Sequence, residues 1–265
     1  MKLSSTLLFC CLFIFTANSQ DWKFTSHLGF SLPQKQMSKN IKGIYGLNAG
    51  LLYSLPGQWK NLSLGHELGI GTYARKTVDQ TFTFDNLTTT VPVNYNSNAF
   101  HGNLQARFNM WDEKKFFVVP YFSAKGGLYS FYSNVVVEDP YDPDGCKALD
   151  RENIMNDRTL FWSAGGGFLV DLEFFKKKAH RRVGLDEGGK VRLDISAHVI
   201  RGGNMDYINT RHLMNPQDAP EPGAKELKAR FMNVSTQNIH EHSIAQVYNS
   251  PLRLFEIKAG IVVVL

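Results

Sequence analysis

From residue 22 onward the chain alternates between two kinds of side chain. Over 22–32, Trp22, Phe24, Leu28, Phe30 and Leu32 share one parity, and Lys23, Thr25, His27, Gly29 and Ser31 share the other. The cleanest stretch is 99–111. There Phe100, Leu104, Phe108 and Met110 alternate with His101, Asn103, Gln105, Arg107 and Asn109. Period two marks a strand with two unlike faces. The same test selects eight segments: 22–32, 44–55, 62–75, 99–111, 116–132, 159–172, 191–201 and 252–265. Each meets the ~9–11 residues that a tilted strand needs to cross a bilayer. No run after Gln20 is long and apolar enough for a membrane helix.

The second parity carries Lys23, Glu67, Arg75, Arg107, Lys125, Arg192, Asp194, Glu256 and Lys258. Both signs occur, so a lumen of paired charges is the expectation if this face points inward. His66 interrupts the apolar parity of 62–75 without an evident reason. An eight-stranded interior is just wide enough for side chains to fill it, which predicts a plugged barrel. The connections fit this picture. Residues 56–61 and 112–115 are short polar turns, whereas 77–98, 133–158 and 202–251 are long and polar. Short turns on the periplasmic side and long external loops are the rule for such barrels. The connection 173–190 is long and basic where a short turn is expected. A soluble all-β barrel would reverse the parity and pack the apolar face inside. Glycine and charge on the second parity favour the membrane arrangement. So do aromatic residues near strand ends: Trp22, Tyr45, Tyr53, Trp111, Phe116 and Trp162.

With the alternating segments in place, the chain resembles small OmpA/OmpX-type barrels. The style is closest to the outer membrane β-barrel (PorT-like) proteins of Bacteroidota. The resemblance rests on the eight segments, the Pro120-Tyr121 strand, the Gly165-Gly166-Gly167 strand and the alternating apolar end at Leu265. It covers 22–265 and implies an all-β, eight-stranded antiparallel transmembrane β-barrel with long extracellular loops, in the outer membrane of a Gram-negative cell. Two departures stand out: the last residue is Leu265 where the family usually has an aromatic, and 202–251 is unusually long.

Composition changes the picture at the N-terminus. Residues 1–19 read as a signal peptide, with Lys2, a short apolar run over 7–15, and small residues Ala17 and Ser19 before a cut at Gln20. Phe9 before Cys10 argues against a lipoprotein cut. Residues 20–265 then form one outer-membrane barrel domain. Cys146 is left alone, so no internal disulfide is possible. The formal charge of +5 is spread out and makes nucleic acid a poor partner for an exported chain.

Candidate chemistry is sparse. Residues 138–145 gather Glu138, Asp139, Asp142 and Asp144, but lack EF-hand spacing and read as a solvated turn. His240 and His242 would share a strand face, with His212 in the same loop, and read as polar loop histidines. No GxSxG or phosphate-loop motif occurs, and Gly165-Gly166-Gly167 reads as room for curvature or a lumen side chain. His101, Glu67 and Arg107 read as structural lumen groups. The basic turn at 176–182 could face phosphate headgroups. No catalytic, cofactor or metal site is assigned. The expected function is a non-enzymatic barrel, touching outer-membrane lipid and lipopolysaccharide, whose 202–251 loop binds a ligand or another envelope protein. Phe231, Met232, Ile239, Ile244, Val247 and Tyr248 predict a partly folded cap there. A secretion or motility complex is one setting. A narrow porin-like channel and a lipid-modifying enzyme are the alternatives.

Overall fold

The computed structural model describes residues 22–84, 87–138, 146–150, 152–172, 191–211, 213 and 224–265. Residues 1–19, most of the acidic 138–145 segment, the basic 176–182 turn and His212 lie outside these. The strands are β1 (Trp22–Pro33), β2 (Ile44–Ser54), β3 (Leu62–Phe84), β4 (Leu87–Asn109), β5 (Val118–Val137), β6 (Cys146–Ala148), β7 (Glu152–Asp171), β8 (Val191–Ile208), β9 (Lys225–Asn233) and β10 (Ile239–Val264). One short helix, α1 (Gln36–Asn40), sits in the β1–β2 connection.

All eight predicted segments lie on strands, and together they close a barrel. The order is β1-β2-β3-β4-β5-β7-β8-β10, and β10 pairs back onto β1. Every pairing is antiparallel. The start of β1 meets the end of β10 where Leu265 N–H donates to the Trp22 carbonyl. The short turns after β2 and β4 lie at this same end, called the near end below.

The predicted parity holds in three dimensions. Leu104 is 74% exposed and Leu160 73%, and Leu28, Leu68, Phe122 and Phe168 also point outward. Lys23, Glu67, Arg107, Lys125, Arg192, Asp194, Glu256 and Lys258 are all buried inside. Arg75 corrects the expectation. It is exposed, because Tyr73 is an extra residue between the Thr72–Asn98 and Ala74–Ser97 pairs. This bulge shifts the face of every later residue of β3 by one. His66 stays outward among leucines, and nothing in the structure explains it.

The long polar loops are the second correction. Most of 77–98, 133–158 and 202–251 is strand. Beyond the barrel the wall divides. β7 and β8 pair only as far as Phe161–Gly202, whereas β3-β4-β5-β7 and β8-β10-β9-β6 continue as two sheets. The sheets face each other across a second core that includes Val78, Phe82, Val91, Val135, Phe231 and Ile244. The Phe82 and Phe231 rings pack at a tilt, with centres 5.1 Å apart. Phe231, Ile244, Val247 and Tyr248 are buried as the cap reading expected, whereas Ile239 is exposed.

The two halves obey opposite rules. On β4, the outward side chains run Phe108, Leu104 and Phe100, then Asn98, Asn96 and Asn94; the inward ones run Arg107, Gln105 and His101, then Tyr95, Val93 and Val91. β5 changes in the same way, from outward Phe122 and Leu128 to Asn134, and from inward Lys125 to Phe131 and Val135. The barrel is apolar outside and polar inside; the cap is polar outside and apolar inside.

Candidate functional site

The chemistry-bearing residues meet in the lumen. At the near end the turn after β4 folds back so that the Glu113 carboxylate enters the barrel mouth. It accepts from Lys23 Nζ and Asn109 Nδ2, and the Arg192 guanidinium donates to the Glu113 carbonyl. The sequence marked 112–115 as a polar turn only, because nothing in four polar residues says which one turns inward.

Above this sits Asp194, with 0% of its surface exposed. It accepts from Arg107 Nη2 at 2.9 Å, Tyr121 Oη at 2.6 Å and His27 Nε2 at 3.1 Å. Arg107 also lies 4.2 Å from the centre of the Tyr121 ring. Next, Glu67 accepts from Lys125 Nζ at 2.9 Å and 3.1 Å and from Lys258 Nζ at 2.6 Å, and Lys258 lies 3.3 Å from Glu256. These residues come from β1, β3, β4, β5, β8 and β10, and the Glu67–Lys125, Glu67–Lys258 and Asp194–Arg107 pairs tie strands that are not neighbours in the sheet. Burying charge is tolerable only with such pairing. Gly165 and Gly167 serve the same packing: a Cβ on Gly165 would lie 2.6 Å from the His198 ring, and one on Gly167 2.8 Å from Tyr121 Oη. The nearest atoms to such a Cβ are nonetheless backbone, the Ala197 carbonyl oxygen at 2.1 Å from Gly165 and the Ile195 carbonyl oxygen at 2.4 Å from Gly167, so the triple glycine makes room for the neighbouring strand as well as for lumen side chains.

The polar column ends at His101. Its Nε2 meets Asn48 Oδ1 at 2.8 Å, and its ring stacks on Tyr129 at 5.6 Å. Beside it is a cavity of only about 20 Å³, touched by Ser31, Asn48, Tyr129 and Glu256. Then the lumen turns dry. Met37 and Ile41, from α1 and just after it, are fully buried against Tyr73, Phe131, Tyr207 and Leu252. Asn40 anchors this plug: its side chain donates to Tyr207 Oη at 3.3 Å, and its carbonyl accepts from Thr210. No sequence signal distinguishes 34–43 from an ordinary polar loop except Met37 and Ile41 at i and i+4, which share a face of a helical turn.

The cap holds the remaining candidates. His240 and His242 do share the inward face, with rings 4.8 Å apart, packed around Phe82 and Phe231. Burial and His240 push the His242 imidazole down to about 4. Among the described residues no group of three or more His, Cys, Asp or Glu side chains is placed to hold a metal ion. Gln80 Nε2 donates to the carbonyls of Leu213 and Ile244 at 3.0 and 3.3 Å, which pins the two cap sheets together. Arg230 clasps Asp150 through two bonds of 2.8 Å, which holds that carboxyl down at about 2.

No protein-family model matches the chain, and no curated protein matches it in sequence. Among solved structures it is similar to Neisserial surface protein A, at 9% identity and a TM-score of 0.43, over 92% of this chain and 97% of that one. The outer membrane protein OprG from Pseudomonas aeruginosa is similar at 11% identity and 0.38, over 91% and 94%. The outer membrane protease OmpT from Escherichia coli is similar at 10% and 0.34, over 85% and 65%. None of the three reaches a TM-score of 0.5.

Proposed function

We propose that this chain is an exported, integral outer-membrane barrel, sealed to solutes, that holds a folded β-sandwich cap outside the membrane as a binding surface for a ligand or another envelope protein. The observation that carries this reading is the change of polarity along single strands. At Asn98 on β4 and Ser130 on β5, the outward face passes from Phe and Leu to Asn, Ser and Thr. A chain in one solvent has no reason to swap its wet and dry sides part-way along a strand. A chain that leaves hydrocarbon for water does. Trp22 against Tyr53 at 5.2 Å, and Trp111 against Phe116 at 5.3 Å, put aromatic pairs at the near rim, where an interface belt belongs. By the loop-length rule the near end faces the periplasm and the cap faces outward.

The role is binding in place of catalysis. Glu67 is taken up by Lys125 and Lys258, Arg107 and Asp194 pair with each other, and the plug around α1 separates them from the cap. The cap's outer face, with its Thr and Asn rows, is the surface offered to a partner. A secretion or motility apparatus is one such setting; deletion of the gene with an unchanged secretome would exclude it. The membrane reading is tested by gel migration of the detergent-extracted membrane fraction. The folded protein should migrate differently from the boiled one; recovery of the mature chain in a detergent-free periplasmic extract would overturn the reading.

A further inference from the structure

The outer wall of the barrel is not uniform. Toward the cap end it carries a groove of about 720 Å³. The floor is backbone: Gly29, Gly46 and Gly71 lie side by side in register on β1, β2 and β3, on the inward parity, so no side chain rises from the outer wall there. The sides are Leu28, Tyr45, Leu47, Ile70 and Ile257, all exposed, with the small Ala259 on β10 opposite Leu28. Tyr45 is held upright by stacking on Phe30 at 4.6 Å. Thr72, the ladder partner of Tyr45, closes the upper edge.

Immediately above that edge the surface turns basic. Lys42 stands three residues before Tyr45, and Arg75 three residues after Thr72. Arg253 stands four residues before Ile257 on β10, with its side chain outward, and Arg201 is its cross-strand neighbour. Lys35 precedes α1 and Lys39 stands in its last turn. Some surface cations find carboxylates, as Lys60 does with Asp112 and Arg230 with Asp150. Here they do not: among the described residues, no carboxylate lies in ion-pair range of Lys35, Lys39, Lys42, Arg75 or Arg253. Arg201 bonds only an amide, that of Gln34 at 3.0 Å. The bulge at Tyr73 is what turns Arg75 outward into this group.

We propose that the groove and its basic rim form a seat for one lipid with a polyanionic, phosphorylated headgroup. An acyl chain lies along the glycine floor, and the phosphates meet Lys42, Arg75 and Arg253. The two halves of the site match the two halves of such a molecule in order and in depth. A zwitterionic lipid would satisfy the groove and leave the unpaired cations unanswered. A free phosphate would satisfy the cations and leave the apolar groove empty. The proposal rests on the membrane reading above, which gives the groove its hydrocarbon surroundings.

The test uses the mature chain in phosphatidylcholine nanodiscs doped with diphosphorylated lipid A or its dephosphorylated counterpart, with bound lipid counted by native mass spectrometry. Diphosphorylated lipid A should be retained about tenfold over the other two lipids, in line with phosphate–basic pairing at a membrane surface. The Lys42→Gln, Arg75→Gln, Arg253→Gln triple variant should lose that preference. Ala259→Phe, which fills the groove without touching charge, should lower retention of lipid A while heat-modifiable migration is kept. Equal retention of all three lipids, a preference that survives the triple variant, or insensitivity to Ala259→Phe overturns the seat and leaves the membrane reading standing. Displacement by millimolar inorganic phosphate also overturns it, since the site would then be one for free anions. A chain that does not insert into nanodiscs at all overturns the membrane reading itself.

Discussion

Glu67 illustrates what a single lumen residue does. It is the acceptor for two ammonium groups, Lys125 and Lys258, and all three are buried. In Glu67→Gln the two cations remain and only Glu256 is left to balance them. Removing one partner of a buried charge set typically costs about 3–5 kcal/mol. The folded band of Glu67→Gln should therefore convert to the unfolded one at a lower temperature or urea concentration. An unshifted midpoint would mean that the lysines find other partners. Which residues face inward was legible in the sequence, because parity alone decides it. Eight of the nine predicted lumen charges are inside. Arg75 escaped because a bulge is one residue of local geometry, and Tyr73 carries no mark of it. Which charge meets which was not legible either: Asp194 and His27 are joined across a closure between distant strands, and pairing across a barrel depends on its stagger.

Strands were legible below the rim and missed above it for a definite reason. A membrane strand is recognised by apolar residues on the outward parity. Above Asn98 the alternation continues, with Val91, Val93 and Tyr95 against Thr90, Pro92 and Asn94, but the apolar set has changed sides. Period two was present in what read as loop; only its phase against the barrel was unexpected. Close strand approach sets another limit. A Cβ on Gly127 would fall 2.0 Å from the Gly102 carbonyl oxygen and 2.6 Å from Asn103 Cα. Both are backbone atoms, so β4 and β5 would have to part. Gly127→Ala is expected to yield little heat-modifiable protein on refolding, while Gly57→Ala, in the exposed turn before β3, should fold far better despite its φ of 68°. The cap strands have a pH window of their own. His242 is held at about 4 against an ordinary 6.5, so the folded cap binds fewer protons on this ring than the unfolded chain. The ring's contribution to stability is complete above pH 6.5, declines as pH falls toward about 4, and is constant below. Amide protection factors in β9 and the upper part of β10 should be lower at pH 5 than at pH 7.5, with the barrel strands little changed. His242→Gln should remove most of the difference.

At the scale of the whole molecule, three closures stack along one axis: the Glu113 turn, the plug around Met37 and Ile41, and the core of the cap. Planar-bilayer recordings of the intact chain should show no discrete current steps; steady single-channel openings would mean that at least one closure is not maintained. On the membrane reading proposed above, the dual polarity has a further consequence, for biogenesis. No single solvent suits this chain. In the periplasm the lower strands would expose Leu and Phe to water, and inside a bilayer the upper ones would present Asn and Thr to oil. The finished shape is a minimum only when the chain straddles two phases. Until its far hairpins have crossed, it has no environment in which to be complete, so arrival at the membrane and acquisition of the final fold become the same event.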